Sequence, residues 1–520
     1  RGRSGLKPAG ERPPRVGMKM ALRALLACVI VMGVTATAVA TTVLREVDEI
    51  LAPLLEGRVA NIDVPELDKA EAGGPRTFMI LGSDARKGVD AGMGARSDTI
   101  LLVRADPDKD AIAVMSIPRD LKVEIPGHGE QKINGAFELG GKKGGPRLTV
   151  RTVKKLFQDR TGKSFPITNV MVMDYSAFQE AVDYVDGVYV DIDRDYFNDN
   201  SAGENYATID VDPGYQKLMG RDALDYVRYR HGDNDLVRAA RQQDFLRQAK
   251  NAAGVRRVLS FGEGKKLVRV FSRYFQVDRS LRNRKQIFSM LRLVLFLAQE
   301  NPKVNEVRFR VQEARNPQVD TNLYVRDADL RKIRSEFMNA SGSAEPREAS
   351  GGPTAADREF AKVRRKRKRK PVAVKGLEDT RREGEDQAVI ADPKLRFPFY
   401  FPTVRVTGSS YAGTEPRTYR IRDERGKRHQ AYRLVLRAPG IGEYYGVQGL
   451  TWKAPPILDD PDRTIRRGRK RLRLYYDGRA LRLVAWKTKR GAYWVSNTLT
   501  HQIGEAQMIE IASSLRRLRQ

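Results

Sequence analysis

The chain has 520 residues, with 95 Lys and Arg against 65 Asp and Glu, a net charge of +30. That length exceeds one ordinary core, so two folded domains plus linkers are expected; 41% hydrophobic and 31% charged residues exclude a wholly disordered chain and a polytopic membrane protein. One cysteine, Cys28, excludes an intrachain disulfide framework or a cysteine-based zinc site, and four scattered histidines offer no paired metal motif.

Residues 1–23 form a basic tail in which Arg1, Arg3, Lys7, Arg12, Arg15, Lys19 and Arg23 face only Glu11. Residues 24–44 follow without a charged side chain. A helix over that stretch crosses about 30 Å of hydrocarbon at 1.5 Å per residue, so a single transmembrane helix is expected. Downstream the charges are mixed, with Glu46, Asp48 and Glu49 beside Arg45. The positive-inside rule then places the N-terminus in the cytoplasm and the rest of the chain outside. The rival reading is a cleaved signal peptide, since Ala36-Thr37-Ala38 and Ala38-Val39-Ala40 resemble cleavage sites, but the apolar stretch is long for one.

Residues 45–75 read as a stalk ending at Gly73-Gly74-Pro75. From residue 76 the apolar runs Thr77–Leu81, Thr99–Val103 and Ala111–Ile117 predict buried strands. Helical spacing over Leu148–Arg160, a strand at Val170–Met173, a helix at Ser176–Val185 and a strand at Val188–Ile192 continue the alternation. Helices are expected again over Leu218–Tyr226, Leu236–Ala252 and Arg284–Gln299; the last is apolar all round, so it belongs in a core or against a lipid tail. Interleaved strands and helices over residues 76–338 argue for a layered α/β domain.

Residues 339–394 are rich in Gly, Ser, Glu and Arg and contain the basic run 362–370, which predicts a disordered basic linker. The run is either a solvated spacer or an electrostatic contact to anionic lipid or wall polymer. Residues 395–520 predict a small α+β domain. Its strands are Tyr432–Leu436, Arg473–Tyr476 and Leu481–Trp486, with a turn at Asp477-Gly478 and a closing helix at Glu505–Arg516. Its aromatics Tyr444, Tyr445, Trp452, Trp486, Tyr493 and Trp494 suit either a sheet core or stacking on sugar rings.

Chemistry concentrates between Gly82 and Gln243. Four clusters stand there: Gly82-Ser-Asp-Ala-Arg86; Arg96-Ser-Asp-Thr99; Ser116-Ile-Pro-Arg-Asp120 with Lys132-Ile-Asn134; and Tyr226-Val-Arg-Tyr-Arg230 leading to Arg238-Ala-Ala-Arg-Gln-Gln243. Strand ends are where α/β folds place ligand sites. Arg228 and Arg230 share a face if extended, Arg238, Arg241 and Gln242 share a helical stripe, and Asp235 suits a helix cap. Guanidinium forks fit phosphate oxygens bidentately, so a pyrophosphate site and a self-satisfied ion-pair network are the two readings. Asp84 and Asp98 suit Mg²⁺ held with phosphate oxygens, or a base for an attacking hydroxyl. The absence of a Gly-x-x-x-x-Gly-Lys-[Ser/Thr] loop and of a Gly-x-Ser-x-Gly elbow disfavours nucleotide hydrolysis and Ser-His-Asp catalysis.

Together and in this order the clusters resemble the LytR-CpsA-Psr (LCP) family of membrane-anchored cell-envelope enzymes. The resemblance implies an α/β/α sandwich holding a polyprenyl chain, with pyrophosphate at its mouth. It implies a phosphotransferase that moves a polyprenyl-pyrophosphate-linked glycopolymer onto a peptidoglycan hydroxyl, with a side pyrophosphatase activity. Membrane lipid is a further partner and nucleic acid is not. Carried over by motif, Asp84 and Asp98 would hold Mg²⁺ (or Mn²⁺), and Asp98, Arg119, Arg228 and Arg230 would be catalytic. Arg96, Arg119, Lys132, Asn134, Arg228, Arg230, Arg238 and Gln242 would bind pyrophosphate. The chain reads Asn134-Gly-Ala-Phe where the family more commonly places an aromatic or His beside the Asn. Two other readings are a non-catalytic envelope protein that binds anionic wall polymers and a transcription attenuator.

Overall fold

The computed structural model describes residues 61–71, 73–83, 97–201, 208–229, 235–250, 275–279, 303–314, 320–341, 374–440 and 442–518. The expected membrane segment 24–44, the stalk to residue 60, the helix 284–299 and the basic run 362–370 lie outside them. Among the described residues no helix is long and apolar enough to cross a membrane.

The three apolar runs of the first domain become the strands Arg76–Ser83, Ser97–Asp106 and Ala111–Ile117. They pair antiparallel in a mixed seven-stranded sheet ordered 61–62, 275–278, 169–174, 76–83, 97–106, 111–117, 303–307. Strand 169–174 runs parallel to 76–83, and 303–307 parallel to 111–117.

Alternation of side chains across the pleat builds two cores. Met79, Leu81, Ile100, Leu102, Met115 and Val172 face Val150, Val153 and Phe157 of helix Gly141–Thr161 and Leu330, Ile333 and Phe337 of helix Asp327–Met338. The other face carries Leu101, Ala105, Ile112 and Val114 under Leu246 of helix Asp235–Lys250. Helices therefore cover both faces of an α/β sheet.

Gly140-Gly-Lys-Lys-Gly-Gly145, which in sequence only weakly resembles a phosphate loop, has a packing role. It opens the long helix, and a Cβ on Gly145 would sit 2.4 Å from the Phe137 carbonyl oxygen. Only glycine lets the short helix Gly135–Leu139 cross there.

The second domain begins earlier than composition suggests. Residues 374–394, expected within the disordered linker, contain strand Leu377–Asp379 and helix Arg381–Ala391. Ala388 and Ala391 of that helix are fully buried against Phe397, Phe399 and Phe401. Polar composition concealed a helix that docks through three small buried residues, Gly384, Ala388 and Ala391. Beyond it an antiparallel eight-stranded sheet carries helix Glu505–Ser514 on one face. Tyr445, Tyr493 and Trp494 are fully buried and Trp486 nearly so, so these aromatics are core and not a sugar platform.

The sheet's other face docks on the first domain. Tyr189 and Tyr215, from the hairpin Val188–Ile192 and Gly214–Leu218, pack with Ile457, Leu483, Ala485 and Trp494. Asp191 receives Arg433 Nη1 at 3.1 Å and Trp494 Nε1 at 3.1 Å. A second polar knot joins Arg247 of helix 235–250 to Glu306 and Asp477, and the Glu306 backbone N–H donates to Asp477 at 3.0 Å.

His501 faces that knot, with Nδ1 3.8 Å from Asp477. Burial holds its pKa down to about 3, against the pull of Asp477 and with Arg308, Arg247 and Arg482 adding to the depression. The unfolded chain, with an ordinary histidine near 6.5, then binds the proton first. Stability contributed by neutral His501 is thus lost as pH falls from about 6.5 towards about 3. Glu306 acts in the opposite sense, since burial raises its carboxyl well above the usual range. His501→Asn is therefore expected to lose less stability than the wild type over that window, read as the difference between their chemical-denaturation midpoints. Parallel pH profiles would show that His501 does not titrate on unfolding.

Candidate active site

Sheet register decides which of the motif residues meet. Ser83 ends its strand opposite Ser97 and beside Asp174, and Ile117 ends its strand opposite Ile100. The end of strand 76–83, the start of 97–106 and the ends of 111–117 and 169–174 therefore lie at one end of the sheet. Asp98 is on the second of these and Arg119 follows the third.

The pairing slips between Gly82 and Ser83, where a Cβ on Gly82 would touch Thr99 Cβ at 3.0 Å. Such a bulge marks the end of regular pairing on this strand. Asp84, Arg96 and Arg230 lie outside the described residues, and Asp98 is described as a strand position only.

Past Pro118, Arg119 Nε stands 3.4 Å from Asp120, whose other oxygen takes Lys132 Nζ at 2.9 Å. The Asn134 backbone N–H donates to the Arg119 carbonyl at 3.2 Å, and Lys132 Nζ also reaches Thr321 Oγ1 at 2.9 Å. Arg119, Lys132 and Asn134 therefore form one cluster, as their motifs predict. Asp120, quoted in the motif but given no role there, is the carboxylate between the two cations.

The second cluster centres on Gln242. Its Nε2 donates to Thr99 Oγ1 at 3.4 Å and to the Val227 carbonyl at 3.2 Å. One amide thus ties the strand of Asp98 to the residue before Arg228. Arg238 lies one turn earlier, on the same side of the helix, and is buried.

Arg228 is the last residue of helix Gly220–Arg228, which corrects the extended reading of this stretch. The helix continues two residues beyond the expected Tyr226 because Leu224 and Val227 remain on its buried side. The Arg228 guanidinium bonds Asp225 at 2.9 Å and lies 5.6 Å over the Tyr175 ring. Burial raises the Asp225 carboxyl's pKa while Arg228 pulls it down. Tyr175 is positioned by Asp174, which ends its strand and caps the next helix by accepting the Ala177 N–H at 2.8 Å. Neither Tyr175 nor Asp225 belongs to a motif, so no sequence signal singled them out.

Arg241 leaves the expected stripe. It is fully buried, donates to the carbonyls of Tyr226 and Tyr229 at 3.2 and 3.0 Å, and sits 4.5 Å over the Tyr196 ring. Its charge organises the protein, not a ligand. Arg119 and Arg228 differ: their side chains are 21% and 24% exposed, and Asp120 and Asp225 are carboxylate partners close in sequence.

Among the described residues one group has metal-ligand geometry, Glu306, Asp477 and His501, with ligand atoms within 4.8 Å of one another. Arg247 pairs with both carboxylates, and Arg308 and Arg482 face them, so this group already has its countercharge. It shares no residue with the expected Asp84 and Asp98 pair.

The LytR_cpsA_psr family model matches residues 42–337, over half of the chain. The chain belongs to that family. The match spans every motif residue of the site and ends where helix 327–338 ends, leaving the second domain outside it. A polyisoprenyl-teichoic acid–peptidoglycan teichoic acid transferase TagU of Oceanobacillus iheyensis is 36% identical over 180 residues, 34% of this chain and 51% of the relative. TagU of Bacillus mycoides is 30% identical over 236 residues, 44% of this chain and 69% of the relative. TagT of Bacillus subtilis is 34% identical over 171 residues, 33% of this chain and 50% of the relative. The chain thus spans about half the length of the first curated relatives it matches. Among solved structures, B. subtilis TagT aligns at 23% identity and a TM-score of 0.40, over 54% of this chain and 98% of TagT. TagT with bound octaprenyl pyrophosphate lipid aligns at 22% and 0.36, over 54% and 96%.

Proposed function

We propose that this LytR_cpsA_psr protein is a membrane-anchored phosphotransferase, with residues 24–44 as the anchor and the site outside the membrane. It transfers a polyprenyl-pyrophosphate-linked glycopolymer to a hydroxyl of peptidoglycan. The observation that carries the reading is the convergence of the Arg119 cluster, the Gln242–Arg228 cluster and the Asp98 strand on one end of the sheet. The relatives' printed names, teichoic acid transferases, supply the substrate class.

In this reading the acceptor hydroxyl attacks the phosphorus that carries the sugar. The bond from that phosphorus to the bridging oxygen breaks, and polyprenyl phosphate leaves with the electron pair. Arg119 and Arg228, with Arg96, Arg230 and Arg238, hold the non-bridging oxygens and stabilise the charge that grows on them. Gln242 positions Arg228 through the Val227 carbonyl, and Lys132 and Asn134 hold Arg119 in place. Asp98 takes the hydroxyl proton or helps to hold the cation. Two carboxylates at Asp84 and Asp98 are the hard-oxygen donors that Mg²⁺ or Mn²⁺ prefers, and such an ion would neutralise phosphate charge.

The test is transfer by purified full-length chain in detergent, from a lipid-linked donor to peptidoglycan fragments. Arg119→Ala and Arg228→Ala are each expected to lower kcat/KM about 100-fold or more while leaving the melting temperature near wild type. Chelation with EDTA is expected to stop turnover and Mg²⁺ to restore it. Wild-type rates in both arginine variants would remove the site, and turnover indifferent to EDTA would remove the cation.

A further inference from the structure

The second domain lies outside the family match and none of the motif residues falls in it. Its most strongly charged feature is the edge hairpin of strands Arg463–Arg467 and Lys470–Asp477. Arg463, Arg466, Arg467, Arg469 and Arg471 are all exposed there. Among the described residues no ion pair neutralises Arg466, Arg467, Arg469 or Arg471.

The register sets two of them face to face, Arg466 directly opposite Arg471, with Arg473 two residues along on the same side and opposite Ala485. Lys487, two beyond Ala485, extends the row to a third strand. Burial and then Arg473 lower the Lys487 pKa, with Asp459 as the opposing carboxylate. Asp462, just before the hairpin, accepts the Tyr476 N–H at 2.7 Å. The reverse face of the hairpin, Ile465, Leu472 and Leu474, packs into the domain core. The cationic face is thus the free margin of the same sheet face that docks, through Tyr475 and Ala485, beside Tyr189 and Tyr215 of the catalytic domain.

Like charges set directly opposite across a sheet are destabilising, and one or two would suffice to keep an edge from aggregating. The excess points to a ligand. Strands about 4.8 Å apart and side chains about 7 Å apart along a strand give cations at the spacing of charges on an extended polymer, in a planar fork geometry suited to phosphate. No exposed large hydrophobic side chain lies on the hairpin, whereas a membrane-binding surface would pair its cations with apolar groups to insert.

We propose that this hairpin face binds the repeating phosphodiester charges of the polymer being transferred, holding the chain beside the catalytic domain. The identity of the polymer rests on the function proposed above; the polyanion site itself does not.

Binding of a fluorescent synthetic glycerol-phosphate polymer to the full-length chain in detergent, followed by anisotropy across a salt series, tests it. The variant Arg466→Gln/Arg471→Gln/Arg473→Gln is expected to weaken binding about tenfold or more and to reduce the slope of log affinity against log salt by about 2–3. Arg466→Lys/Arg471→Lys/Arg473→Lys should retain most of the affinity, and the Gln variant should melt no lower than wild type because the like-charge pair is relieved. Transfer by the Gln variant from a donor too short to reach the hairpin should match wild type, which separates this site from the catalytic one. Unchanged polymer binding in the Gln variant would overturn the proposal. So would loss of binding to phosphatidylglycerol vesicles with polymer binding intact, which would reassign the face to lipid.

Discussion

Asp191→Ala is expected to separate the two domains, with a loss of about 3–5 kcal/mol of stability. Asp191 is buried and accepts both Arg433, itself 1% exposed, and the Trp494 indole. Truncating it leaves a buried guanidinium and a buried indole N–H without their shared acceptor. The cost therefore belongs to the groups left behind more than to the pair itself. In calorimetry a single unfolding transition should become two, because the cores of the two domains are separate clusters joined at this face. Asp191→Asn keeps one acceptor for Trp494 and should fall between wild type and Ala. A single, unshifted transition in Asp191→Ala would show that the domains are held by the Arg247 knot instead.

The second large effect distinguishes two neighbours in one motif. Arg241→Ala should lower stability by about 3–5 kcal/mol, since it empties the box made by Tyr196, Tyr226 and Tyr229 and orphans the carbonyls of Tyr226 and Tyr229. Arg241→Lys should rescue little, because an ammonium cannot reproduce the flat stacking or both carbonyl bonds. Gln242→Ala, one residue on, should leave stability in urea within about 1 kcal/mol of wild type but slow transfer, because its amide holds the Val227 carbonyl and Thr99 together. Equal urea midpoints for Arg241→Ala and wild type would place Arg241 in the site after all.

The strands of the first domain were legible because their apolar runs are short, bounded by turns and rich in β-branched residues. The helix at 235–250 was legible from spacing, as was that at 141–161 from Leu148 onward; the latter's glycine-rich start at 141–147 was not. The helix 381–391 was not, since Glu, Asp and Arg dominate it and its burial rests on Gly384 and alanines. The aromatics of the second domain are equally compatible with a core and with a sugar platform in one dimension. Only their neighbours in the folded sheet choose between the two.

For the candidate site, the motifs and the family resemblance single out Arg119, Lys132, Asn134, Arg228, Arg238 and Gln242, and the fold brings Arg119 to Lys132 and Asn134 and ties Gln242 to the residue before Arg228. What the sequence alone could not settle is direction. Arg238, Arg241 and Gln242 share one helical stripe in projection, yet a ring of tyrosines drawn from residues 196, 226 and 229 pulls Arg241 inward. Asp120, Tyr175 and Asp225 join the site, and Asp191 meets Arg433 across 242 residues, through contacts made only when the sheets close. Local pattern fixes which groups a segment offers, whereas the partner that desolvates and orients each group comes from elsewhere in the chain.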